Sequence, residues 1–120
     1  MGKKTYVISG KFTTLNEHDN ANRRNRFLGA KLKHEMTDMV ATQLLGKPAI
    51  MSPCTLHFNW HYSSRADFDN IAFAKKYVQD GMVKSGILLD DNQKYVTGFS
   101  DTFTKVDKGN ELVVVDVITE

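Results

Sequence analysis

The sequence predicts one α+β (mixed α/β) domain over residues 1–120, a mixed sheet with two packed helices in the order β-α-β-α-β-β. Three observations predict it. Cys54, Leu56, Phe58, Trp60 and Tyr62 alternate with Thr55, His57, Asn59 and His61, the period-2 pattern of a strand with one buried face. Leu28, Leu32, Met36, Met39, Val40 and Leu44 recur at helical spacing, as do Ile71, Ala74, Val78 and Met82. Two strand-like runs, Lys94–Val106 and Glu111–Thr119, flank the turn sequence Asp107-Lys108-Gly109-Asn110. Apolar helix stripes alternating with half-buried strands pack as helices on a sheet.

In chain order, Thr5–Phe12 reads as the first strand and Thr13–Asn20 as a polar, turn-rich segment. A long helix is expected from about Asn22 to Leu45, ended by Gly46 and Pro48. Cys54–Tyr62 follows as a strand and Ser63–Ala66 as a loop. A second helix should run from about Asp69 to Lys84, closed by Gly86. Ile87–Leu89 is a short apolar stretch leading into the turn Asp90-Asp91-Asn92. The last two strands are expected to form a hairpin.

The 120-residue chain, 41% hydrophobic and 25% charged, is too apolar for disorder and long enough to bury roughly two-thirds of its unfolded surface. No disulfide is needed or possible within it, because Cys54 is alone. A lone thiol reads as a reduced, cytoplasmic compartment. No apolar run can span a bilayer, and none follows Met1-Gly2-Lys3-Lys4 as a signal peptide requires. Neither a membrane partner nor an organic cofactor is expected.

Charge is unevenly spread. Residues 1–47 carry nine Lys/Arg against four Asp/Glu, and residues 48–120 carry seven against ten. Arg23, Arg24 and Arg26 lie together, with Lys31 and Lys33 following. At the start of a helix, arginine opposes the helix dipole, a local conflict that favours contact with phosphate. The alternative is a solvated helix face. His57 and His61 share a strand face with Asn59, but no third soft ligand is near in sequence, so zinc is disfavoured.

Asp67-Phe68-Asp69-Asn70 follows the clearest strand. In extended chain, residues i and i+2 face one side, so Asp67 and Asp69 would present two carboxylates to one point. Such a pair repels unless a cation or a proton lies between them. Asp90-Asp91 forms a second acidic point. Lys76 lies seven residues beyond Asp69, about two turns up the same helix face, and can reach back toward the carboxylates. Lys75 points elsewhere on that count. The plain alternative is that these acids are caps and turn residues.

Asp67-Phe68-Asp69-Asn70, then Lys76 and Asp80, then Lys84-Ser85-Gly86-Ile87-Leu88-Leu89-Asp90-Asp91, resembles the RusA family of phage- and prophage-borne Holliday junction resolvases. Thr14-Leu15-Asn16 is similar to the family's Asn-bearing loop. The resemblance implies a RusA-like nuclease domain in the bacterial cytoplasm: a homodimeric endodeoxyribonuclease that nicks four-way DNA junctions symmetrically. It implies Mg²⁺, or Mn²⁺ in its place, held by Asp67, Asp69 and Asp91, with Asp90 as the neighbouring acid. It assigns Lys76 as the catalytic lysine. Arg23, Arg24, Arg26, Lys31, Arg65 and Lys75 are the candidate DNA contacts. Leu112–Val115 and the Phe99/Phe103 strand offer interface material, or ordinary core. The sequence departs from the better-known members in two places: Gly10-Lys11-Phe12 replaces a Pro-rich stretch, and about one extra helical turn separates D-x-D-N from Asp-Asp. That turn keeps Lys75 as a competitor to Lys76. Alternatives are a non-catalytic phage DNA-binding module and a metal-dependent nuclease for other branched DNA.

Overall fold

The computed structural model describes residues 2–119. One four-stranded mixed sheet, in the order β1-β4-β2-β3, carries helices that pack against the chain's apolar core, confirming an α+β architecture. The strands are β1 (Gly2–Ser9), β2 (Cys54–Tyr62), β3 (Val96–Lys105) and β4 (Leu112–Thr119). The helices are α1 (Leu15–Arg24), α2 (Arg26–Leu44), α3 (Phe68–Ala72) and α4 (Lys75–Lys84). Among the described residues, no helix is long and apolar enough to cross a membrane.

Among the described residues, four helices stand where two were expected. The segment read as turn-rich is α1, started by a capping box: the Thr14 side chain accepts from the Glu17 N–H, and the Glu17 carboxylate accepts from the Thr14 N–H. Asn25 then takes an extended conformation (φ −168°, ψ 125°), ends α1 and caps α2 by accepting from the Phe27 N–H at 2.8 Å. The apolar stripe from Leu28 onward is blind to this break because it begins after it.

The second expected helix bends at Phe73–Ala74. Ala74 N–H donates to Ile71 O at 3.2 Å and Lys76 N–H to Phe73 O at 3.3 Å, the i→i−3 bonds of a tighter turn. Such a turn advances about 120° per residue rather than 100°. Two such steps turn Lys76 by only about 40° relative to one straight helix, so it stays near the face of Asp69.

The last two strands do not form a hairpin. β2 pairs in parallel with β3, while β4 pairs antiparallel with both β2 and β1. The difference lies in side-chain character. β4 (LVVVDVIT) is apolar on both faces and suits a central position, whereas β3 (VTGFSDTFTK) is largely polar and suits an edge.

The register aligns one buried face. Tyr6, Val115 and Phe58 lie across one row, and Ile8, Val113 and Trp60 across the next. Val40, Leu44, Tyr77, Val78 and Met82 from α2 and α4 cover these rows. Of the expected interface residues, Val113 and Val115 belong to this core, while Phe99 remains 51% exposed. α2 and α4 approach most closely at Gly81. A Cβ there would lie 2.4 Å from Val40 Cγ1 and 3.1 Å from the Thr37 carbonyl oxygen. Gly81→Ala is therefore expected to destabilise by about 1–3 kcal/mol through overpacking, read as a lower denaturation midpoint at unchanged slope. An unchanged midpoint would show that the helix pair adjusts freely.

Candidate acidic and aromatic site

The loop leaving β2 delivers the Asp67-Phe68-Asp69-Asn70 segment to the start of α3. Asp67 occupies the N-cap position, but its side chain makes no capping bond. Asp69 Oδ1 accepts only the adjacent Asn70 N–H, at 3.0 Å. Both carboxylates are exposed, and neither has an ion-pair partner among the described residues. The fold thus asks little of either charge. Asn70 Oδ1 is buried without a hydrogen-bond partner among the described residues.

Lys76 and Asp91 meet. Lys76 Nζ donates to Asp91 Oδ2 at 3.0 Å and lies 3.1 Å from Asp80 Oδ1, one turn along α4. Asp90 closes its own turn, with Oδ1 accepting from the Asp91 N–H and Oδ2 from Asn92 Nδ2. Lys33, from α2, lies 3.9 Å from Asp80. This second acidic point faces the α2–α4 groove, whose lining includes Lys33, Asp80, Lys84 and Asp91.

Mg²⁺ takes several oxygen ligands at near-ideal octahedral geometry. Among the described residues, no three His, Cys, Asp or Glu side chains gather closely enough to hold an ion. Asp67 and Asp69 stand at the start of α3, and Asp90 and Asp91 in the turn after α4; in this arrangement they are not gathered into such a group. Lys76 engages Asp91, and Asp90 is satisfied within its turn.

The ammonium of Lys76 holds the Asp91 carboxyl below the usual carboxylate range, against the opposing effect of burial. The hydrogen bond to Asp91, then that to Asp80, raises Lys76 above the usual lysine range. The signs set a window. Asp91 contributes stability above the unfolded aspartate value, near 4, and loses it as pH falls through its lower folded value. Lys76 contributes below the unfolded lysine value, near 10.4, and loses it as pH rises through its higher folded value. Between these limits the pair is fully formed, and with the Lys76 side chain 57% exposed it contributes about 1 kcal/mol or less. The stability gap between parent and Asp91→Asn should be constant near neutrality and close below about pH 4. Acid titration of both proteins in denaturant checks this, and a gap persisting at low pH would contradict the pairing.

Lys75 is not a free cation as expected of a DNA contact. It turns to the sheet, where its Nζ lies 2.8 Å from Asp101 Oδ2 and 4.9 Å from the centre of the Phe99 ring. Asp101 Oδ1 also accepts the Trp60 indole N–H at 2.9 Å. Sequence reasoning missed Asp101, although its place between Phe99 and Phe103 in a period-2 strand puts it on the buried face.

The basic residues fall into two groups. Arg23 and Arg24 occupy the last turn of α1, where a cation favours the dipole, so the conflict expected from the sequence disappears for them. Arg26, at the first position of α2, retains it. All three are exposed and without ion pairs among the described residues, whereas Lys31 lies 3.8 Å from Glu35. Arg65 is exposed beside the D-x-D segment. His57, on the open sheet face, has ring nitrogens 2.6 Å from Ser100 Oγ and 3.1 Å from Thr102 Oγ1, bonds that tie β2 to β3.

An aromatic group lies beside Asp67 and Asp69 that the sequence did not bring together. The Phe68 ring stacks on Phe103 with centroids 4.0 Å apart and planes 3° apart. Tyr62 meets both rings edge-on, and Lys105 Nζ lies 5.1 Å from the Tyr62 centroid. Strand alternation reveals Phe103, but only the parallel β2–β3 pairing brings it to Phe68.

No protein-family model matches the chain, and no curated protein matches it significantly.

Proposed function

We propose that this protein is an endodeoxyribonuclease for branched DNA that resolves four-way junctions by paired symmetric phosphodiester hydrolysis. The observation that carries the reading is the Lys76–Asp91 contact at 3.0 Å. It joins two positions of the RusA-like motif across 15 residues, at the end of a segment that begins with the unpaired Asp67 and Asp69. Lys76 supplies a partly exposed ammonium to a phosphate. A phosphate arriving there competes with Asp91 and releases that carboxylate. Mg²⁺, or Mn²⁺ in its place, is the ion that the resemblance implies. The carboxylates described above would have to regroup before sharing one.

Cutting two strands symmetrically calls for two sites related by a twofold axis, hence a homodimer. Arg23, Arg24 and Arg26 supply phosphate contacts that hold the junction. Each phosphate neutralised steepens the fall of log affinity with log salt by about 0.9. The alternative is a non-catalytic DNA-binding module.

The test incubates the protein with a labelled four-way junction and a matched duplex, in Mg²⁺, Mn²⁺ or EDTA. Paired nicks confined to the junction and dependent on metal are expected. Tight junction binding with no cut under any metal would overturn the enzymatic reading in favour of the binding module.

A further inference from the structure

We propose that Phe68, backed by Phe103, is a stacking platform for an unpaired nucleobase of branched DNA. This rests on the DNA-acting reading above and identifies which part of the DNA meets the D-x-D segment. Phe68 is 52% exposed although one face of its ring is covered by Phe103 at 4.0 Å. With Tyr62 against part of the ring's edge, the open area is the opposite face and the remaining edge. A planar π surface placed there extends a parallel stack already two rings deep.

The surroundings favour a base over an aliphatic or peptide partner. Asp67 and Asp69 flank Phe68 in the chain, so an anionic ligand is repelled at the ring itself while a neutral base is not. Cations stand at the margin. Arg65 is exposed, and Lys105 is held over Tyr62 by donating to the Ser63 and Ser64 carbonyls at 2.8 Å each. Two of the three Lys105 donors are used, leaving the third for a backbone phosphate. An aromatic stacking surface with cations near it for the backbone is how proteins hold unpaired nucleotides without sequence preference. Paired bases hide their faces within the duplex. Only an unpaired or splayed nucleotide, such as one at a branch point, can occupy the platform.

Base–aromatic stacking contributes about 1–3 kcal/mol per base, which is roughly a fivefold or greater change in affinity. The experiment measures fluorescence anisotropy in EDTA with a twelve-nucleotide oligothymidylate, the same strand carrying abasic residues, and a four-way junction. The parent, Phe68→Leu and Phe68→Trp are compared after thermal melts verify that each is folded. The leucine keeps an apolar cover over Phe103 but has no π face. The parent should bind the base-bearing strand at least about fivefold more tightly than the abasic strand. Phe68→Leu should bring the two within about twofold, and Phe68→Trp should keep the difference. Equal binding of both strands by the parent would overturn the platform, as would an undiminished preference in Phe68→Leu, or junction binding with no single-strand binding. In these cases the junction reading stands if the junction is bound. Binding of no DNA in any form would overturn both. A Phe68-dependent base preference in a protein that never cuts would support the platform and overturn the nuclease.

Discussion

Asp69→Asn is expected to lower junction cleavage by about a thousandfold or more while leaving fold and junction affinity nearly unchanged. The separation of effects follows from the geometry. Asp69 accepts a single bond from its neighbour's N–H and has no ion-pair partner among the described residues. The amide of asparagine offers the same acceptor oxygen, so stability should shift by no more than about 0.5 kcal/mol, as at other surface positions. Asp67→Asn should behave alike, because Asp67 makes no capping bond. Cleavage, binding and thermal melts on one preparation check this. Near-parental turnover in either variant would remove the D-x-D pair from the chemistry. A large loss of stability would instead return these acids to a structural role.

Asp101→Ala is expected to cost about 2–4 kcal/mol of stability. The residue lies on the buried sheet face opposite Phe58, where it accepts from the Trp60 indole at 2.9 Å and from Lys75 at 2.8 Å. The Lys75 and Asp101 side chains are 20% and 24% exposed, so water replaces the lost partner poorly. Removing Asp101 leaves an ammonium among aromatic rings and an indole N–H unpaired. The paired change Lys75→Met with Asp101→Leu should recover most of the loss, because it removes both charges together. Denaturant unfolding of the parent, Lys75→Met, Asp101→Leu and the double variant forms the cycle, with Asp101→Ala measured alongside. Additive effects, or a loss below about 0.5 kcal/mol in Asp101→Ala, would show that the pair is a solvated surface contact.

Strand character was legible wherever alternation was clean. Cys54–Tyr62 is a strand over the range that its period-2 pattern predicts. Helical stripes located α2 and α4, but periodicity reports only which face is buried and says little about continuity. Asn25 and the Phe73–Ala74 turn each interrupt a helix without disturbing the apolar stripe. The Thr14–Glu17 capping box was present in the sequence as a T-x-x-E signature, yet the surrounding polar residues read as turn. Strand order lay beyond local patterns, since β3 and β4 are adjacent in the chain but not in the sheet. Asp67, Asp69 and Asp91 were visible as acids near turns. Their separation, the Lys75–Asp101–Trp60 group and the Phe68–Phe103 stack all depend on pairings between distant segments, and these set the candidate site's shape.

Placing β4 between β1 and β2 has a consequence for how the protein is made. Two of the sheet's three pairings need β4, and Thr5 meets Asp116 across 111 residues of chain. While synthesis proceeds, β1 has no strand partner, and the apolar faces of β1 and β2 stay uncovered by the Val113–Val115–Val117 row. Helices α1 to α4 can form locally, but the closing of the core must wait until β4 has left the ribosome. So high a contact order makes folding slow relative to helical proteins of this size. Until β4 is inserted, two strand edges remain open to other chains, which makes the nascent protein, rather than the finished one, the form most exposed to aggregation.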